Sequence, residues 1–86
     1  MNDVRFSQPV RLRLAPDGEF NVATAWEALE CLSQQWPEAA RGRGYRAAWR
    51  ACRDSLDGWK SAQMARRQFV HAARGAGLLV GTNHPA

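Results

Sequence analysis

Apolar and polar residues alternate along the first quarter of the chain, and this alternation predicts two short β-strands. In residues 10–14 every second residue is apolar and the two between them are arginines, which is the period of a half-buried strand. Phe20 and Val22 alternate with polar residues in the same way. Residues 16–18, Pro-Asp-Gly, have the composition of a tight turn. We therefore expect a β-hairpin, which needs helices on its apolar face to be stable.

The next segment has the helical period of apolar residues. Thr24 and Glu27 form a capping box, in which the threonine hydroxyl accepts from the Glu27 amide and the Glu27 carboxylate reaches back to the Thr24 amide. Pro37 ends this helix, because the residue before a proline is disfavoured in the α region. The predicted apolar stripe comprises Trp26, Leu29, Leu32 and Trp36, with Ala28 and Cys31 beside it.

Two further helices follow a loop over residues 38–44 that is rich in arginine and glycine. Helix two begins near residue 44 or 45, and Asp57 and Gly58 end it, with Gly58 as a left-handed C-cap. Ser61 caps helix three. The core stripe of helix two is Tyr45, Ala48, Trp49, Cys52 and Leu56. The narrow apolar face of helix three is Ala62, Ala65, Phe69, Ala72, Ala73 and Ala76.

These elements predict a single small α+β domain over residues 1–81, in the order β-β-α-α-α-(β). A small antiparallel hairpin would pack against three helices. Residues 78–81 could form a third strand beside it. Residues 82–86 are expected to form a flexible tail. A length of 86 residues suits one domain, and a hydrophobic content of 45% argues against disorder.

Charge is distributed unevenly along this small basic chain, whose net charge is +4. Residues 25–40 carry three glutamates and no basic residue, whereas residues 41–60 carry five arginines and one lysine against two aspartates. Such a distribution suggests an anionic partner or an oppositely charged protein surface. The sequence contains neither an apolar run long enough to cross a membrane nor a secretory signal at its N-terminus. We expect a cytoplasmic protein without membrane contact.

The two cysteines, Cys31 and Cys52, lie at apolar positions of predicted helices and are expected to be reduced core thiols. The sequence has neither a Cys-x-x-Cys pair nor a histidine at ligand spacing, so it does not indicate a metal site. No motif indicates a cofactor. His71 is expected on the surface and His84 in the tail, with no partner for a catalytic triad. The sequence therefore favours a protein that is not an enzyme.

A set of short motifs in the middle of the chain resembles a known family. The motifs are Trp36-Pro37, Tyr45-Arg46-Ala47-Ala48, Ala51-Cys52, Leu56-Asp57-Gly58, Ala65-Arg66, Phe69 and Ala72-Ala73. With their spacing they are similar to the domain of unknown function 982 family of short bacterial proteins, which come mainly from alphaproteobacteria. The likeness extends from the hairpin to about Val80. The resemblance implies a domain boundary and a bacterial protein, and it implies no activity, cofactor or catalytic residue.

A row of arginines on the polar face of helix two and just before it is the strongest candidate for binding an anion. Its members are Arg41, Arg43, Arg46, Arg50 and Arg53. Such a row can follow the phosphates of a nucleic acid. The alternative is a solvated helix face, partly neutralised by Asp54 and Asp57 at i, i+4 from two of the arginines. No helix-turn-helix, zinc-finger or RNP motif accompanies the row, which argues against specific recognition of DNA.

The junction between helices two and three is the candidate for protein contact. Trp59 falls outside both apolar stripes, next to Lys60, and Met64 would extend the patch. Asp57 opposes the helix dipole, and we expect it to bond amides of helix three or to pair with Arg66. Residues expected to be structural are Thr24, Glu27, Trp36, Pro37, Asp57 and Gly58.

The sequence as a whole favours a non-enzymatic protein-interaction module with a basic, aromatic-tipped surface on helix two and the helix 2–3 junction. The partner would be another protein or a second copy of the chain, which would form a homodimer. The alternative is a nucleic-acid-binding accessory protein that uses the helix-two arginines. Binding to nucleic acid should weaken steeply with salt, whereas an interface centred on an aromatic residue should tolerate it.

Overall fold

The computed structural model describes residues 4–14 and 18–80 and has the predicted α+β architecture. Two antiparallel strands are followed by three α-helices, with one turn of 3-10 helix (Glu38–Ala40) between the first two helices. The strands are β1 (Arg5–Leu14) and β2 (Gly18–Thr24), and the helices are α1 (Ala25–Gln34), α2 (Arg43–Leu56) and α3 (Ala62–Gly75). The predicted fold class and element order are confirmed.

The hairpin buries the residues that its alternating pattern indicated. Val10 pairs with Val22 and Leu12 with Phe20, and Val10, Leu12 and Val22 are buried. Strand β1 begins earlier than predicted, because Phe6 is also buried and extends the apolar face beyond an irregularity in the ladder. Gly18 has a φ of +96°, the conformation for which glycine was expected, whereas Pro16 and Asp17 lie outside the described residues.

The apolar segment after α3 returns beside β1, although it forms only one bridge. Leu79 bridges antiparallel to Leu12, the Arg13 amide donates to the Leu78 carbonyl at 2.8 Å, and the Val80 amide donates to the Arg11 carbonyl at 3.0 Å. Within residues 4–14 and 18–80 the sheet itself has two strands. The predicted tail over residues 82–86 lies outside the described residues.

Helix α1 has the predicted N-cap but is rotated relative to the predicted stripe. The Glu27 amide donates to Thr24 Oγ1 at 3.1 Å, and the Glu27 carboxylate accepts from the Ala23 amide at 2.7 Å rather than from that of Thr24. Strand β2 runs directly into α1, and the Ala25 amide donates to the Val4 carbonyl, so Ala25 faces the core. Trp26 is consequently 50% exposed, and its prediction as a core residue is wrong.

Helices α2 and α3 approach each other closely through small side chains. Helix α2 begins at Arg43, slightly earlier than predicted. A Cβ atom on Gly44 would lie only 3.7 Å from Ala72 Cα. The buried residues of α2 are Ala48, Ala51, Cys52 and Ser55, and those of α3 are Ala65, Phe69, Ala72 and Ala73. The alanine-rich face of α3 therefore packs directly against the small buried residues of α2.

Aromatic rings form the centre of the core. Phe69 is fully buried, and its ring centroid lies 5.8 Å from that of Trp36 and 6.5 Å from that of Phe6. Trp36 is 2% exposed and also packs against Tyr45, with centroids 6.3 Å apart, and Pro37 follows it at the start of the 3-10 turn. These contacts tie the hairpin, the α1–α2 connection and both later helices into one core. No helix within the described ranges is long and apolar enough to span a membrane.

Candidate functional site

The outer face of α2 presents three arginines in a line. Arg46, Arg50 and Arg53 are all exposed, and their spacing of i, i+4 and i+7 places them on consecutive turns of one helix face. Among the described residues, ion pairs within 4.0 Å involve Glu19 with Arg11 and Arg13 and none of these three. Helix α2 therefore displays a row of exposed guanidinium groups, and the ion pairs with Asp54 and Asp57 that the sequence offered as an alternative are not among those within 4.0 Å in the described residues.

These arginines line an open groove of about 590 Å³, here called the α2 groove. Aromatic rings and carboxylates share its surface with the arginines. Its lining is Tyr45, Arg46, Trp49, Arg50, Arg53, Asp54, Asp57 and Trp59. The sequence predicted a basic, aromatic-tipped surface on helix two and the helix 2–3 junction, and in the structure Trp59 and three of the arginines line one concave surface.

Trp59 reaches the groove because α2 ends in a Schellman turn. Gly58 has a φ of +87°, and its amide donates to the Ser55 carbonyl at 3.1 Å. The Trp59 amide donates to the Asp54 carbonyl at 2.8 Å, which completes the motif. In such turns this position often carries an apolar side chain packed on the helix, yet Trp59 is 80% exposed. The hydrogen-bonded turn thus places a large aromatic side chain in solvent.

The groove includes only part of the predicted sites. Lys60 and Met64 are exposed but do not line it, and Arg43 lies on the first turn of α2 outside it. Arg41 interacts with the protein itself: its Nε and Nη2 donate to the Trp36 carbonyl at 3.2 and 3.1 Å, and its guanidinium lies 5.4 Å from the Tyr45 ring centroid. Arg41 therefore fastens the α1–α2 connection.

The two aspartates of the groove are not held by the partners that the sequence suggested. In the described ranges, neither Asp54 nor Asp57 has an ion pair within 4.0 Å. The Arg53 guanidinium lies instead 5.7 Å from the Trp49 ring centroid, and Arg66 Nε donates to the Gln8 carbonyl. Both carboxylates are accordingly available to a molecule in the groove.

The two cysteines and His71 lie outside the α2 groove. Burial raises the pKa of the Cys31 thiol to about 11 and that of the Cys52 thiol to about 12, so both thiols are protonated at neutral pH. His71 is exposed on α3, away from the groove. Among residues 4–14 and 18–80, no three His, Cys, Asp or Glu side chains form a cluster that could hold a metal ion.

A second basic surface, on α3, was not singled out from the sequence. Arg67, His71 and Arg74 have the same i, i+4, i+7 spacing as the α2 arginines. Together with Arg66 they line a smaller hollow beside Ser7 of β1. The spacing of these basic residues is present in the sequence, but α3 was interpreted from its alanine-rich, buried face. The position of Ser7 beside the basic residues depends on the fold.

Comparisons with known proteins agree with the fold and the motif pattern. A family model described as Protein of unknown function (DUF982) matches residues 8–80. The chain belongs to this family. It is similar to the NMR structure of Agrobacterium tumefaciens protein Atu1219, with 36% sequence identity, a TM-score of 0.78, and coverage of 99% of this chain and 84% of the Agrobacterium chain. No curated protein matches the chain. The resemblance to the DUF982 family is confirmed, and its description supplies no activity.

Proposed function

We propose that this DUF982 protein is a non-enzymatic interaction module that binds another protein through the α2 groove. The single observation that carries the proposal is Trp59, which is 80% exposed at the edge of a groove that also contains Trp49 and three arginines. Tryptophan and arginine are the residue types most enriched at the energetic centres of protein interfaces. Their combination on a rigid helix end supports a binding surface for a protein.

The magnitudes indicate that the tryptophan would contribute more than the arginines. Covering a tryptophan buries roughly 150–250 Å², which at about 25 cal/mol per Å² corresponds to a gross gain of about 4–6 kcal/mol. Association costs consume part of that gain. An exposed ion pair, by comparison, contributes about 0–1 kcal/mol. Affinity at this surface should therefore depend mainly on Trp59, with the arginines selecting an acidic partner.

The carboxylates favour a protein partner over a nucleic acid. Asp54 and Asp57 line the same groove as the arginines, so a phosphate backbone laid along α2 would approach two negative charges. A protein segment can offer acidic residues to the arginines, an apolar residue to Trp59 and a donor group to the carboxylates. The matching partner is thus an acidic segment that contains an apolar or aromatic residue.

The chemistry of the groove also supports a non-enzymatic role. Its ionisable lining consists of arginines, aspartates and Tyr45, whereas both cysteines are buried elsewhere and protonated. Nucleophilic catalysis needs an activated nucleophile beside a base, and the groove offers no such pair. Selective binding is the property that this set of side chains can provide.

The test selects peptides from a random display library on the intact protein and measures one selected peptide against two variants. Trp59→Ala should weaken binding by about 30-fold, which corresponds to a hot-spot loss of about 2 kcal/mol. Trp26→Ala is the matched control, because Trp26 is a half-exposed tryptophan outside the groove, and it should change affinity less than about twofold. Selected peptides should be acidic and contain an apolar residue.

Two further results would decide against this proposal. Equal losses in both tryptophan variants would mean that the peptides do not bind in the α2 groove. Strongly salt-dependent binding of mixed-sequence oligonucleotides, abolished by replacing Arg46, Arg50 and Arg53 together, would favour the nucleic-acid alternative. Light scattering measures the oligomeric state. A dimer that dissociates in the Trp59→Ala variant would identify the partner as a second copy of the chain.

A further inference from the structure

The α3 hollow, lined by Ser7, Gln63, Arg66, Arg67, His71 and Arg74, is a second concave surface that the interaction proposal does not use. It has a volume of about 260 Å³ and lies between the outer face of α3 and the first half of β1. The lining residues of α3 lie on successive turns of the helix, and Ser7 of β1 lines the hollow from the strand side. These side chains therefore surround a hollow instead of forming a flat helix surface.

Its charge has one sign. Three arginines and a histidine line the hollow, and Val70 completes the lining without adding a carboxylate. Over residues 4–14 and 18–80, ion pairs within 4.0 Å involve only Glu19, which pairs with Arg11 and Arg13, so no acidic side chain neutralises the arginines of α3. Positive charge is therefore concentrated at this hollow, which favours the binding of an anion.

One of the arginines is already oriented. Arg66 Nε donates to the Gln8 carbonyl at 2.8 Å, which joins α3 to β1 next to Ser7. In the described residues its two terminal nitrogens make no hydrogen bond to the protein. An arginine fixed through Nε and open at its terminal nitrogens loses less freedom when it binds an oxyanion than an unrestrained one does.

We propose that the α3 hollow binds a small soluble ligand carrying two linked phosphoryl groups. Arginines supply fork-shaped donors that match phosphate oxygens, and the Ser7 hydroxyl and Gln63 amide supply neutral donors beside them. Arg66, Arg67 and Arg74 distribute guanidinium donors over about 10 Å of the helix axis. A ligand with two linked phosphoryl groups offers these donors more oxygen atoms than a single phosphate does.

The α2 groove provides the contrast that supports this assignment. Its arginines have the same spacing, yet Asp54 and Asp57 share their surface and would repel a phosphate. The lining of the α3 hollow contains arginines, His71, Ser7, Gln63 and Val70, and no carboxylate. A small ligand is favoured over a nucleic acid strand because these basic side chains surround one hollow of about 260 Å³, whereas a strand needs a track that continues beyond a single pocket.

The experiment titrates inorganic pyrophosphate into the isotope-labelled protein and follows amide resonances and binding heat. Saturable binding should shift Ser7 and the outer face of α3. Arg67→Gln with Arg74→Gln should weaken it by about tenfold or more. The matched control, Arg46→Gln with Arg53→Gln, removes the same charge from the α2 groove and should change affinity by less than about twofold. Thermal unfolding of both double variants verifies that each is folded.

Several outcomes would overturn the proposal. Shifts centred on α2, equal losses in the two double variants or the absence of saturation would each show that the α3 hollow is not a diphosphate site. Oligonucleotide binding that exceeds pyrophosphate binding and depends on Arg67 and Arg74 would assign the hollow to nucleic acid instead. Binding of ADP through the same resonances would support it and would indicate a nucleotide source. Trp59→Ala should leave pyrophosphate binding unchanged, so this proposal and the peptide proposal can fail separately.

Discussion

Helices α2 and α3 carry basic side chains at the same spacing, but the two surfaces have different surroundings. Arg46, Arg50 and Arg53 of α2 share a groove with carboxylates and tryptophans. The corresponding residues of α3 share a hollow with a serine, a glutamine and a further arginine. A row of cations therefore does not by itself specify a ligand. The neighbouring side chains do so, because they decide whether an approaching molecule meets apolar area, negative charge or additional donors.

The difference has a physical consequence for each surface. The proposed protein partner of the α2 groove would gain most of its binding free energy from covering the ring of Trp59, and ionic screening affects such apolar burial little. The proposed diphosphate in the α3 hollow would gain it from charge-assisted hydrogen bonds, which weaken as salt rises. The two surfaces should therefore respond differently to ionic strength on the same molecule.

The largest expected effect comes from the core that both surfaces share. Phe69→Ala removes a fully buried ring that packs on Trp36 and Phe6, and it should lower the free energy of unfolding by about 3–5 kcal/mol. Both binding activities should be lost together. The measurement is chemical denaturation, supported by thiol labelling at neutral pH, which should become rapid as Cys31 and Cys52 leave the environment that raises their pKa.

The control for this prediction is Met64→Ala on the same helix. Met64 is 37% exposed, so its replacement should change stability by less than about 0.5 kcal/mol. Survival of one binding activity in a destabilised Phe69→Ala protein would contradict the view that one core supports both surfaces.

An intermediate effect is expected from two glycines in equivalent turns. Helix α3 also ends in a Schellman turn, in which the Gly77 amide donates to the Arg74 carbonyl and the Leu78 amide to the Ala73 carbonyl. Gly58 and Gly77 have φ values of +87° and +73°, and a Cβ atom on either would meet nothing within 4 Å. Gly58→Ala and Gly77→Ala should therefore each cost about 1–2 kcal/mol of stability through backbone strain alone.

The two glycine variants should differ in function. Gly58→Ala disturbs the turn that positions Trp59 and should weaken binding of the selected peptide, whereas Gly77→Ala should leave it intact. Both should retain pyrophosphate binding under conditions in which they are folded. Unchanged peptide affinity in Gly58→Ala would show that the groove does not depend on this turn.

The smallest effect tests the carboxylates that separate the two surfaces. Asp54→Asn with Asp57→Asn removes negative charge from the C-terminal end of α2, where it opposes the helix dipole, and should stabilise the protein by about 0.3–1 kcal/mol per charge at low salt. The α2 groove should then gain weak, salt-dependent binding of pyrophosphate. Amide shifts on α2 that appear only in this variant are the readout.

The matching control removes two exposed glutamates outside the groove, Glu30→Gln with Glu38→Gln. It changes the net charge equally and should not create binding on α2. If both double variants gained the same affinity, overall charge rather than the local carboxylates would explain the difference between the surfaces.

Local sequence signals predicted most of the fold. The Thr24 and Ser61 caps, the Gly58 stop and the alternation of β1 each depend on neighbouring residues, and each appears where the sequence placed it. The phase of α1 could not be predicted in this way. Which side of the helix faces the core depends on how β2 enters it, and that tertiary constraint turned Trp26 outward.

The candidate surfaces could be predicted only in part from the sequence. The exposure of the α2 arginines was predictable from the sequence, since a polar helix face usually meets solvent. It did not reveal that Trp59 and the arginines line one groove, because this depends on the direction in which the Schellman turn sends the chain. The α3 hollow combines Ser7 with residues on a helix more than fifty positions later, and no local pattern links them.

The backbone bonds from Leu78 and Val80 to β1 have a consequence for how the chain reaches its folded state. They cover the edge of β1 that faces away from β2, and an uncovered strand edge can pair with another molecule. The covering segment lies beyond all three helices, so the hairpin remains open at that edge while they are being synthesised. Aggregation during synthesis should therefore increase with the time between formation of the hairpin and docking of α3, because the segment that covers β1 follows α3.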